Sequence, residues 1–132
     1  MRLLVSILLV ALAILPMPAW AGTITIQSLM AKQFKAGSTL FYGFSSINSS
    51  VPVVDVTVLV NGVEVPDITV RAVPCAGCAP GLTTWIFSKA AAVVRAGDRL
   101  TLVAVDRDGA FMPRSVSCRA SASGSVLCAF PP

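Results

Sequence analysis

The stretch VVDVTVLVNGVEVPDITV, from Val53 to Val70, alternates apolar and polar side chains, and no other feature constrains the fold as strongly. In a strand, successive side chains leave opposite faces of the sheet. Val54, Val56, Val58 and Val60 therefore fall on one face and Asp55 and Thr57 on the other. Asn61-Gly62 follows, offering two adjacent residues that tolerate the positive φ of a type I′ hairpin turn. Val63 and Val65 resume the alternation until Pro66, which has no N–H to give to a ladder, so the return strand belongs at an edge.

The rest of the chain has the same grammar: short β-like runs between turns, and no helical period sustained over 11 or more residues. TITIQSL (Thr23 to Leu29) places Ile24 and Ile26 on one face. GSTLFYGFSSI (Gly37 to Ile47) carries Leu40, Phe41, Tyr42 and Phe44, suited to a pleated, half-buried surface. In LTTWIFS (Leu82 to Ser88), Trp85 and Phe87 share a face and read as core rather than as an exposed sugar platform. KAAAVVRAG (Lys89 to Gly97) reads as a crossing between sheets. DRLTLVAVDRDGAF (Asp98 to Phe111) is a strand closed by an Asp108-Gly109 turn, and RSVSCRASASGSVLCAF (Arg114 to Phe130) is a hairpin around Ser123-Gly124. About seven short strands in some 110 residues describe an antiparallel β-sandwich, with a closed barrel as the alternative.

The N-terminal residues MRLLVSILLVALAILPMPAWA have the parts of a secretory signal: Arg2, then an apolar run from Leu3 to Leu15, then Pro16, Pro18 and the small-residue tripeptide Ala19 to Ala21. The run of 13 residues is short of the roughly 20 that span a bilayer. Cleavage is expected between Ala21 and Gly22, leaving 111 residues as a single domain, 22–132. No cysteine follows the apolar run, which argues against lipid attachment at a new N-terminus. Without Arg2 the chain carries nine Lys and Arg against six Asp and Glu, a net charge of +3. That is too weak and too scattered for a nucleic-acid partner.

The order VDVTVLVNG, TTWIFS, AGDRLTLVAVDRDGA resembles bacterial immunoglobulin-like modules, in which a Val-rich strand ends in Asn-Gly, a strand carries Trp-x-Phe, and Gly-Asp leads into Ala-x-Asp-x-x-Gly. The likeness covers Val53 to Ala110 with a preceding strand at Leu40 to Ser46, about half of residues 22–132. It implies an immunoglobulin-like sandwich of the kind found in adhesin stalks, extracellular enzyme spacers and pilus-associated domains. The four cysteines and the lack of tandem copies depart from that family's pattern.

Four cysteines admit three pairings. With the last hairpin turning near Ser123, Cys118 and Cys128 face each other across two strands, close enough to bridge. That leaves Cys75 with Cys78; the rival pairing ties one of these two to the C-terminal hairpin. Cys-x-x-Cys becomes a reactive dithiol when a helix N-terminus or a neighbouring cation stabilises the thiolate. Here a turn entering a strand follows, and no charged residue lies between Arg71 and Lys89. Zinc would want two closely spaced pairs, whereas Cys118 and Cys128 are ten apart, and the chain has no histidine. Without histidine, Ser–His and Cys–His catalysis lose their base. Asp106 to Gly109 reads as a turn whose carboxylate bonds local backbone, rather than as a calcium site.

The sequence thus leads to an exported, non-enzymatic binding or structural module of the envelope, with no cofactor, no metal and another protein as partner. Contacts are expected from the loop Ala72 to Gly81, including Ala76, Gly77, Ala79 and Pro80, and from the tip Ala120 to Ser125, including Ser121 and Ser123. Two other readings remain: thiol–disulfide exchange through Cys75 and Cys78, and a fibre or pilus subunit in which Gly22 to Leu29 is donated to a neighbour's sheet.

Overall fold

The computed structural model of the chain describes residues 23–34, 39–75, 77, 78, 80–121 and 124–129. The signal-like segment 1–21 lies outside the described residues. Among the described residues, ten strands run in chain order: β1 (Thr25–Ile26), β2 (Met30–Phe34), β3 (Leu40–Asn48), β4 (Val53–Val60), β5 (Val63–Glu64), β6 (Thr69–Pro74), β7 (Leu82–Lys89), β8 (Arg99–Asp106), β9 (Phe111–Ala120) and β10 (Val126–Ala129). All pairs are antiparallel, in the spatial order β5-β4-β8-β9-β10-β2-β3-β7-β6, with β1 also on β3. The all-β expectation holds; the sheet is one continuous hydrogen-bonded path that curls into a half-barrel.

Curling lets both wings bury their inner faces in one core. From β4 and β8 come Val56, Val58, Leu100, Leu102 and Ala104; from β3 and β7 come Phe41, Ile47, Trp85 and Phe87. Ile24, Ile26 and Leu29 pack into the same cluster. β3 shows how the sequence sets the packing. Its inward positions are Phe41, Gly43, Ser45 and Ile47, and Gly43 is paired with Phe87 of β7. The Phe87 ring occupies the space a Cβ at Gly43 would need, so the glycine makes room for a fully buried aromatic whose centroid lies 5.8 Å from that of Phe41.

The count exceeds the expected seven for identifiable reasons. The register of β1 on β3 differs by one residue from that of β2 on β3, so a bulge at 27–29 divides one N-terminal strand in two. Ser45 Oγ donates to Ser28 O at 2.6 Å, and Ser46 N donates to Ser28 Oγ at 3.1 Å, holding the bulge in place. Asn61 and Gly62 adopt φ of 51° and 84°, as the type I′ turn requires. The return strand β5 is only two residues long and ends at the sheet edge, as Pro66 implies. Asp67, at φ 53°, then turns the chain toward the opposite edge, where β6 pairs with β7. One expectation fails on the Val-rich strand: a register shift between Val53 and Asp55 leaves Val54 57% exposed, while Val56 and Val58 are buried.

The segment between β7 and β8 is irregular, consistent with a crossing. Gln33 of β2, 7% exposed, fastens it: Nε2 donates to Ala91 O at 3.0 Å, and Oε1 accepts from Val93 N at 2.7 Å and Val94 N at 3.3 Å. At the other end of β8, Asp106 Oδ1 accepts from Asp108 N at 2.8 Å and Ala110 N at 3.0 Å, the turn role read from the sequence.

Candidate functional site

Both disulfides form as expected. Cys118 and Cys128 are register partners of β9 and β10, with Cα atoms 4.0 Å apart. Cys118 N donates to Asp98 O and Cys118 O accepts from Gly97 N, so its backbone polar groups face away from β10. That makes Cys118 and Cys128 a non-hydrogen-bonded pair, the close kind that a disulfide can bridge. Both residues are buried, and Cys128 is also paired with Ala31 of β2, so this bond sits beside the seam joining the two wings. Cys75 and Cys78 are bonded in the β6–β7 connection, with Cα atoms 5.4 Å apart and both residues exposed. Cys78 N donates to Cys75 O at 3.3 Å, and Gly77 takes φ of 84° inside the small loop. Gly81 O accepts from Ser49 N at 3.1 Å and ties the loop to the end of β3.

The two loops expected to make contacts do not meet. Ala72, Val73 and Pro74 belong to β6, so the first loop begins only at Cys75. It lies at the Asn48 end of β3, with Gly77 and Pro80 exposed; Ala76 and Ala79 lie outside the described residues. The β9–β10 tip lies at the other end, since Val126 is paired with Gln33 near the Leu40 end of β3. At about 3.3 Å per residue, the length of β3 puts the two regions roughly 25 Å apart. At the tip, Ser121 N donates to Ser125 O at 2.8 Å and Gly124 N to Ser121 O at 3.0 Å, while Ser123 lies outside the described residues.

The structure assembles a third surface that local sequence patterns did not mark. On the outer face, β2 and β3 set Met30 opposite Phe44, Lys32 opposite Tyr42, and Phe34 opposite Leu40. These five apolar or aromatic side chains are each between 37% and 42% exposed, and Lys32 Nζ lies 5.0 Å from the centre of the Phe34 ring. In this stripe the period-two alternation continues, but both faces of the strand are apolar. All six carboxylates of the chain lie between Asp55 and Asp67 or between Asp98 and Asp108, so β2, β3, β6, β7, β9 and β10 carry none. The cations Lys32, Arg71, Lys89, Arg114 and Arg119 lie on those strands.

Among the described residues, no group of three His, Cys, Asp or Glu side chains is placed to hold a metal ion, and no helix is long and apolar enough to cross a membrane. The Asp98 carboxyl is held below its ordinary value: Arg95 N donates to it at 2.8 Å, Asn61 Nδ2 donates at 3.0 Å, and the Arg95 charge adds to both. Trp85 Nε1 is buried without a protein partner, and Trp85 forms part of the wall of a cavity of about 330 Å³ shared with Ser49, Ser50 and Thr83. Compared with protein-family models, curated proteins and solved structures, the chain matches none.

Proposed function

We propose that the chain is an exported, non-enzymatic immunoglobulin-like module that binds an envelope or extracellular partner through the outer face of its β2–β3 wing. The sandwich reading draws on strand neighbours: β1, β3, β7 and β6 are paired in the order of one immunoglobulin sheet, and β4, β8 and β9 in the order of the other. β10 and its pairing with β2 would be this chain's addition, bridging what are separate sheets in that fold. Export is supported by the signal-like N-terminus and by two disulfides, which persist in oxidising compartments.

The observation that carries the binding role is the Met30, Phe34, Leu40, Tyr42 and Phe44 stripe. Contiguous apolar surface of this kind marks interaction sites on soluble proteins. The test is retention in the envelope fraction of producing cells, comparing the wild type with Tyr42→Ser/Phe44→Ser. Both side chains point outward and are more than a third exposed, so the variant should stay folded with a modestly lowered unfolding midpoint and lose retention. Equal retention at equal expression would refute the reading.

A second reading, assembly by strand addition, is favoured by β6, a six-residue strand at the end of the sheet path that, among the described residues, is paired only with β7. Gly22 to Leu29 could serve as donor only by leaving its own core, where Ile24, Ile26 and Leu29 are buried. Assembly that persists after deletion of 22–29 would exclude that donor.

A further inference from the structure

The outer face of β8, β9 and β10 is indented by a cavity of about 340 Å³. Arg99 enters it from β8, Ser115, Ser117 and Arg119 from β9, and Leu127 and Ala129 from β10. The register explains the grouping. Arg99 is paired with Ser117, which is paired with Ala129, and Arg119 is paired with Leu127. Arg99 and Arg119 are thus diagonal neighbours on adjacent strands, about 7–8 Å apart at their backbones, within reach of one group between them.

Among the described residues the lining contains no carboxylate, and neither arginine makes an ion pair. Asp98, next to Arg99 in sequence, is directed elsewhere and accepts from Asn61 and Arg95. Ser115 Oγ is shared with Thr101 Oγ at 2.8 Å. Leu127 and Ala129 give the cavity an apolar side, and Leu127 is paired in turn with Lys32, so a third cation stands beyond it.

We infer that this cavity binds a phosphoryl group carried on a carbon skeleton, with the Arg99 and Arg119 guanidiniums and the Ser117 hydroxyl as donors. Guanidinium forks suit phosphate oxygens, and two of them match a charge of about −1.5 to −2. Donors arriving from two strands and a hydroxyl address three oxygens of a tetrahedral group, one more than a carboxylate has. The apolar side takes the adjoining carbon chain. The group could belong to a soluble phosphate ester or to a phospholipid headgroup, and the two sources are separable by experiment.

This inference goes beyond the proposed binding role, because it concerns a different surface from the β2–β3 stripe, and it is tested on purified protein. Its failure would therefore leave the envelope-retention result untouched. Glycerol 3-phosphate is titrated into ¹⁵N-labelled protein, with saturable shifts expected at the amides of Arg99, Ser115 to Arg119 and Leu127. Arg119→Gln should weaken binding about tenfold, Arg119→Lys by less because charge survives without the fork, and Lys89→Gln should change nothing. Vesicles of phosphatidylglycerol in phosphatidylcholine form the second arm. Vesicle binding lost in Arg99→Gln/Arg119→Gln assigns the lipid source, whereas glycerol 3-phosphate binding without vesicle binding assigns a soluble ester. No saturable shift and no vesicle binding would overturn the inference. So would binding that survives Arg99→Gln/Arg119→Gln in a folded protein.

Discussion

Removing the two disulfides separately should have unequal consequences, because they close different loops in different surroundings. Cys118 and Cys128 are ten residues apart, and loop-closure entropy for that length corresponds to about 3 kcal/mol of stabilisation through the unfolded state. Both residues are also buried, so Cys118→Ala/Cys128→Ala leaves a void where two sulfurs packed, adding about 1 kcal/mol or more. Cys75 and Cys78 are three apart and exposed, so Cys75→Ala/Cys78→Ala should cost about 2 kcal/mol at most. Urea unfolding under non-reducing conditions, with both variants compared against the fully bonded protein, reads these differences from the midpoints if the slopes agree. Mild reductant should open Cys75–Cys78 before Cys118–Cys128, followed by alkylation and mass mapping, because attack requires access to a sulfur. The reasoning fails if the exposed pair costs as much as the buried one, or if the buried pair is reduced first.

Gln33→Leu removes three hydrogen bonds and strands the buried Val94 amide, so it should destabilise by about 3 kcal/mol and raise amide exchange in residues 91–94. Gly43→Ala places a methyl against Phe87 and within 2.8 Å of the Ala31 Cβ, and should cost about 1–3 kcal/mol by thermal unfolding; a neutral result would mean that β3 and β7 are not in this register. Asp106→Ala removes the acceptor for two amides and should cost about 1–2 kcal/mol, while Asp106→Asn retains an acceptor oxygen and most of the stability. Because the Asp98 carboxyl is held low in the folded state, its contribution is present above the unfolded value and fades as pH falls through the folded one. Asp98→Asn should therefore flatten the acid limb of stability measured by chemical denaturation, and an unchanged limb would count against the Arg95 and Asn61 contacts.

What could be read from the chain was whatever neighbours in sequence dictate. Asn61-Gly62 forces its turn because few other pairs accept two successive positive φ angles, and Pro66 forces a short edge because it cannot donate. The facing of Cys118 and Cys128 followed from counting equal distances from one turn. Local patterns could not reveal the bulges. The register shift at Val53 to Asp55 adds no unusual residue, yet it turns Val54 out to solvent, and the bulge at 27–29 rests on Ser45, whose hydroxyl partner is 17 residues away. Gln33 has the same kind of invisibility: beside Lys32 in a short strand it looks solvated, and only the return of residues 91–94 some 60 positions later explains its burial.

The binding surfaces were hidden for a related reason. Sequence reading favours loops for contact, because turn residues announce themselves, and here it chose two loops that β3 holds at opposite ends. The outward stripe of β2 and β3 was concealed by its own regularity: Leu40, Tyr42 and Phe44 alternate with Phe41, so either set serves as core by parity. Topology decides between them, because Phe41 packs near Phe87 in the core while Leu40, Tyr42 and Phe44 are each more than a third exposed. Arg99, Arg119 and Lys32 show the effect most clearly. Spread over 87 residues of sequence, they make no cluster by spacing, and a +3 charge looks diffuse. They become one face only because β10 inserts between β9 and β2, bringing Leu127 between Arg119 and Lys32. The strand that closes the seam between the wings also gathers the cations, so fold and surface charge here depend on the same four residues, Val126 to Ala129.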